Sequence, residues 1–155
     1  MSHEVVKCGN QYVVLAMHDA TAPPSDAWSR YIADYEAIGV KLDWGPELCG
    51  GIAVTDGGGP GPAQRRLVQA RLIGSHPHIR GSVITSSTLV QGVVTALGWL
   101  GGDIKAFAPG MVVDALDHLR LQRSALSPIL LAIERLSRDT NSETARRILQ
   151  AHPAP

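Results

Sequence analysis

The chain has 155 residues, 45% of them hydrophobic, and its 14 basic and 14 acidic side chains cancel. That apolar content excludes an intrinsically disordered chain, and the neutral balance excludes the positive field of a nucleic-acid-binding surface or a polybasic membrane anchor. The length suits one domain with a sizeable core.

The opening Met1-Ser2-His3-Glu4-Val5 lacks the basic and apolar regions of a signal peptide, and no run approaches the ~20 apolar residues of a membrane span. A soluble, cytoplasmic protein is expected, with neither nucleic acid nor membrane as partner. Residues 4–7 and 11–17 read as strands joined by the turn Cys8-Gly9-Asn10, a hairpin. Pro23-Pro24 forbids helix before Ser25, which reads as an N-cap. Trp28, Tyr31, Ile32, Tyr35 and Ile38 then recur at helical spacing until Gly39 closes the helix. Residues 41–50 read as irregular, and 52–55 as a central strand of continuous apolar character.

The next helix spans 62–73, with Leu67, Ala70, Leu72 and Ile73 as its inner stripe. Residues 81–85 form another buried strand, and Ser86-Ser87-Thr88 caps a helix running to Trp99 before Gly101-Gly102. A short strand at 104–107, a helix from 111 to about 122, and helices near 128–138 and 143–150 complete the chain. Cys8 and Cys49 lie far apart in a chain able to fold without staples, so both read as free thiols.

The resulting order, β-β-α-β-α-β-α-β-α plus extra helices, demands a mostly parallel sheet with an N-terminal hairpin. The fold class is therefore α/β: a single domain with helices on the sheet faces and extra C-terminal helices. Residues 1–123 form the α/β body and 124–155 a helical extension of it, which either docks on the sheet or mediates dimer contacts.

The most informative stretch is Gly50 to Arg66, where an apolar run stops at Asp56-Gly57-Gly58-Gly59 and restarts as a helix opened by prolines. Strand, glycine loop and helix N-terminus are where α/β proteins place working surfaces. The loop either offers backbone N–H groups to an anion, with Arg65 or Arg66 adding charge, or is a tight connection. It lacks the Gly-Lys-Ser/Thr of a Walker loop and the Gly-x-Gly-x-x-Gly fingerprint. Ser86 and Ser87 follow a neighbouring parallel strand and so should share the edge with Asp56. They read as caps or, with Asp56 and a histidine, as an acyl-transfer set, although no Gly-x-Ser-x-Gly elbow is present. His18-Asp19 could pair with Asp56 in acid–base chemistry, or Asp19 could bond the local turn. His76-Pro77-His78 has no neighbouring ligands at metal spacing, so no metal and no cofactor are expected. The stripe Trp28, Tyr31, Tyr35 reads as core or as an aromatic ligand wall.

This organisation resembles the STAS-like family, the bacterial anti-sigma-factor antagonists and their small single-domain relatives. The resemblance covers residues 4–119. It rests on the hairpin, the strand feeding Asp56, the helix carrying Gln64-Arg65-Arg66, and the segments Ser82 to Ser87, Val94 to Trp99 and Ile104 to Pro109. It implies a cytoplasmic, non-catalytic regulatory module that binds another protein or itself. Ligand or partner contacts would fall at Asp56, Gly57, Gly58, Gly59, Gln64, Arg65, Ser86 and Ser87. Phosphoswitching members carry a hydroxyl after the loop aspartate, where this chain has Gly57-Gly58-Gly59. The alternative is a small α/β enzyme or small-molecule carrier in a biosynthetic pathway, with a pocket near His18, Asp56 and Ser86 and catalytic candidates His18, Asp19, Asp56 and Ser86.

Overall fold

Each β-rich run becomes a strand and each 3.6-periodic run a helix. In the computed structural model, residues 1–73, 76, 78–98 and 103–153 are described. Strands β1 (Ser2–Cys8) and β2 (Gln11–His18) precede α1 (Ser25–Lys41), β3 (Leu48–Thr55) and α2 (Pro62–Val68). Then come β4 (Arg80–Thr85), α3 (Thr88–Gly98), β5 (Ile104–Phe107), α4 (Val112–His118), α5 (Leu126–Ser137) and α6 (Glu143–Ala151). The chain is an α/β protein with one sheet of order β1-β2-β3-β4-β5, in which β1 is antiparallel to β2 and the other pairs are parallel.

The three parallel crossovers all step across the sheet in one direction, so right-handed connections put α1, α2 and α3 on one face. Alternation along β2 then divides the core. Val13, Leu15 and Met17 join a cluster with Leu116, Ile129, Ile133 and Ile148 from α4, α5 and α6. Val14 joins Ile32, Tyr35, Leu48 and Leu72 on the α1 side. The C-terminal helices therefore dock on the sheet. No helix among the described residues is long and apolar enough to cross a membrane.

Several boundaries differ from the sequence expectation, each for a local reason. The N-cap of α1 is Pro24, without a side-chain cap, and the helix continues past Gly39 to Lys41. Gly39 is instead a contact point: a Cβ there would lie 2.5 Å from the Trp44 ring. Strand β3 begins at Leu48, inside the segment expected to be irregular, and is bulged. Tyr12 pairs with Leu48 and Val13 with Gly50, leaving Cys49 as the extra residue. Gly50 has φ +143°, and a Cβ there would sit 2.0 Å from the Arg80 carbonyl oxygen.

After Val68 the helix widens into a π-helical turn over Gln69–Ile73. That turn buries Leu72 but leaves Ala70 and Leu67 outside, contrary to the expected stripe. Helix α4 is shorter than expected because a 3-10 turn (Pro109–Met111) precedes it and Arg120 turns the chain at φ +58°. Pro77, Trp99, Gly101 and Gly102 lie outside the described residues.

Both cysteines are buried and free. Cys8 is on β1 and Cys49 on β3, with β2 between them. Two strand spacings of ~4.8 Å exceed the ~7 Å Cα separation a disulfide can span.

Candidate functional site

The last residues of the central parallel strands form a lateral row, with His18 opposite Thr55 and Thr55 opposite Thr85. All three are buried. Asp19, Asp56 and Ser86 each follow one residue later, so His18, Asp19, Asp56 and Ser86 do share the carboxyl edge of the sheet. Apart from the His18 ring's contact with the Asp19 carbonyl, however, their hydrogen bonds run to other partners.

Asp56 is bound to the start of α6. Its carboxylate accepts the backbone N–H of Glu143 at 2.8 Å and of Thr144 at 2.7 Å, and the Ser142 hydroxyl at 3.2 Å. The first N–H groups of a helix have no partner within it and carry the positive end of its dipole, so an anion is the natural cap. Burial pushes the Asp56 pKa up, but the bonds from Thr144, Glu143 and Ser142 outweigh it and hold the carboxyl below its ordinary value. The group is therefore charged at neutral pH, with both carboxylate oxygens engaged. Ser142 completes the cap by accepting the Ala145 N–H at 3.1 Å.

Thr144 extends the junction inward. Its hydroxyl donates to the Thr55 carbonyl at 3.1 Å and accepts the Ser86 N–H at 3.3 Å. Its single proton being used, the 3.2 Å contact with Ser86 Oγ must be Ser86 donating to Thr144. The Ser86 proton thus faces a hydroxyl, not a base.

His18 is arranged by the same logic. The Thr55 hydroxyl donates to the Gly58 carbonyl at 2.9 Å, so the 3.1 Å contact with His18 Nδ1 needs a proton on the ring nitrogen. The Asp19 carbonyl, 3.2 Å from the same nitrogen, demands the same tautomer. Desolvation lowers the His18 pKa, against partial opposition from Asp19 and Asp56, which keeps the ring neutral. Asp19 itself accepts the Thr21 N–H at 2.7 Å, a local turn bond.

The glycine loop is a fitted connection. Gly57 N–H donates to Thr55 Oγ1 and Gly58 N–H to the Asp19 carbonyl. A Cβ at Gly58 would lie 2.2 Å from the Thr21 carbonyl oxygen, so the loop is pressed onto the His18 connection. The N–H groups that could have cradled an anion at these two positions are already engaged; only Gly57 and Gly59 are exposed. Ser87 caps α3, accepting the Val90 N–H at 3.3 Å. Gln64 donates to Ser25 Oγ at 3.2 Å, tying α2 to α1.

Of the candidates, Gly57 and Gly59 on the loop and Arg65 on α2 are exposed, and the exposed apolar side chains near them in the chain order are on the helices. Helix α2 buries none of its side chains. Leu67 on α2 is 47% exposed, Leu89 and Val93 on α3 are 78% and 43% exposed, and Arg65 and Arg66 are exposed beside Leu67 in sequence. The stripe Trp28, Tyr31, Tyr35 is core: the rings pack edge to face at 5.7 and 5.8 Å under α1. His76 stacks flat on Trp44 at 3.6 Å.

Residues 140–144 were missed from sequence as part of this edge. Thr140, Ser142 and Thr144 are all buried, and such alternating hydroxyls ahead of a helix were the available signal. Comparison with known proteins gives no matching family model, no matching curated protein and no matching solved structure.

Proposed function

We propose that this chain is a non-catalytic STAS-like regulatory module that binds another protein through the exposed face of α2 and α3 beside the glycine loop. The observation that carries the reading is a contrast. At the carboxyl edge the Asp56 carboxylate, the Thr144 and Thr55 hydroxyls and His18 Nδ1 are held in one linked set of bonds, whereas Leu67, Leu89 and Val93 are offered to water. Catalytic groups need free lone pairs or protons directed at a reactant. Exposed apolar side chains, here with Arg65 and Arg66 next to Leu67, are what a protein partner covers. Control would act on docking itself, because Gly57, Gly58 and Gly59 carry no hydroxyl for a kinase to modify.

The test is site-specific photo-crosslinking. A photoreactive phenylalanine replaces Leu89 on α3 or, as the control, Leu131 on α5, which is 52% exposed. The reading expects one discrete adduct from position 89 that disappears in a Leu67→Glu background. Its mass separates a second copy of this chain from a different protein. No adduct at position 89, or equal adducts at 89 and 131, would overturn the reading.

A further inference from the structure

Open α/β sheets usually bind ligands outside the carboxyl ends of their strands. Here that edge is closed by α6, whose N-terminus takes the Asp56 carboxylate where a ligand anion would otherwise sit. The opposite edge is open. A cavity of about 340 Å³ lies where β2, β3 and β4 begin, within the ~300–1,000 Å³ range of small-molecule sites.

Four features mark this cavity as built. Its accessible apolar wall is Trp44 and Pro46, backed by the buried Leu48 and Leu119. The β3 bulge turns Cys49 into the lining. The non-glycine residues with positive φ among those described are Asp43 (+49°), Trp44 (+48°) and Arg120 (+58°). Two of them line the cavity and the third adjoins Trp44. Backbone held in such sparsely populated conformations clusters at ligand sites. Finally, Gln11 fixes the Arg120 turn: its amide donates to the Arg120 carbonyl at 3.0 Å and to Cys49 Sγ at 3.2 Å, while its oxygen accepts the Gln122 N–H at 3.2 Å.

The charges differ in their commitments. Arg80 is matched by Asp103 at 3.0 Å and donates to the His118 carbonyl at 2.7 Å. The Arg120 side chain has no hydrogen-bond or ion-pair partner among the described residues. His78 lines the same cavity, and Asp43 and Glu47 belong to the adjoining connection without lining it. Burial raises the Cys49 pKa, so the thiol stays protonated and adds no charge.

We propose that this cavity binds a small hydrophobic carboxylate, its acid group on Arg120 and its apolar body against Trp44 and Pro46. The site is separate from the α2–α3 face, so its failure would leave that reading standing, and the reverse holds too.

The probe is 2-naphthoate, titrated into the full chain and followed by backbone amide shifts, with neutral 2-naphthamide as the control. The expected result is saturable shifts at Gln11, Leu48 and Cys49 at millimolar probe, with the amide binding about tenfold more weakly. Arg120→Asn, which tolerates the same positive φ, should weaken naphthoate about tenfold, and Arg120→Lys should restore most of it. Equal affinity for acid and amide, shifts confined to α2 and α3, or no saturable binding would overturn the proposal. The acid–amide comparison is made on the unaltered chain, so it decides the matter even if Arg120→Asn does not fold.

Discussion

Replacing Asp56 by alanine separates a structural carboxylate from a functional one. The substitution removes two short bonds to helix N–H groups and one to the Ser142 hydroxyl. Bonds to a charged group contribute ~1.5–3 kcal/mol each when sheltered. Asp56 is half-buried, and part of that is recovered when water reaches the freed N–H groups. Loss of a good N-cap costs ~0.5–2 kcal/mol. Together these give a destabilisation of about 2–3 kcal/mol, which in a chain of this size lowers Tm by roughly 5–10 °C. Urea unfolding at pH 7 measures the first quantity and calorimetry the second. Hydrogen exchange should localise the loss, with the amides of Ala145 and Ile148 in α6 exchanging faster than those of β2. Removing a functional carboxylate often leaves stability unchanged or raises it. A variant at least as stable as the parent, with α6 protection intact, would refute the capping account.

The glycine loop gives a graded series read by thermal melts. Gly58→Val should cost more than about 2 kcal/mol because its Cβ would meet the Thr21 carbonyl at 2.2 Å. Gly57→Ala should cost about 1 kcal/mol through its φ of +140°, and Gly59→Ala, with nothing within 4 Å, should be neutral. Stability should also fall with acid. The folded-state pKa of His18 is lowered, so the unfolded chain takes up its proton first as pH drops below the ordinary histidine value of about 6.5. The stabilisation is thus complete above that pH and is lost on the way down to the folded pKa. His18→Gln should flatten this limb in a series of urea titrations, and an unchanged slope would contradict it. A denatured, non-reduced sample should titrate two thiols, while native Cys8, with its pKa pushed up by burial and by Cys49 to about 11, should react slowly.

Much of the architecture was legible because it is local. Strand β5 (Ile104–Phe107) is bounded as its apolar run and the following Pro109 dictate, and the hairpin turns at Gly9. Features set across the chain were not. Periodicity cannot show that the 62–73 helix widens after Val68, nor that Gly39 and Gly58 are glycine because Trp44 and Thr21 occupy the Cβ positions. The sharing of one sheet edge by His18, Asp56 and Ser86 follows from strand order. The real partner of Asp56 and Ser86 does not: Thr144 lies 58 residues beyond Ser86 and 88 beyond Asp56, and nothing near either announces it. The opposite edge is not legible in the sequence because Gln11, Cys49 and Arg120 meet only once a bulge and a turn are formed.

The most direct test of the account pairs Asp56→Ala with Leu89→Glu and measures urea stability for both. It also measures adduct formation for both, from a photoreactive residue at Val93, under conditions where each variant is folded. The account predicts a double dissociation: Asp56→Ala loses stability and keeps the adduct, while Leu89→Glu keeps stability and loses it. An Asp56→Ala protein that is as stable as the parent yet forms no adduct would place the working surface at the glycine loop and contradict the account.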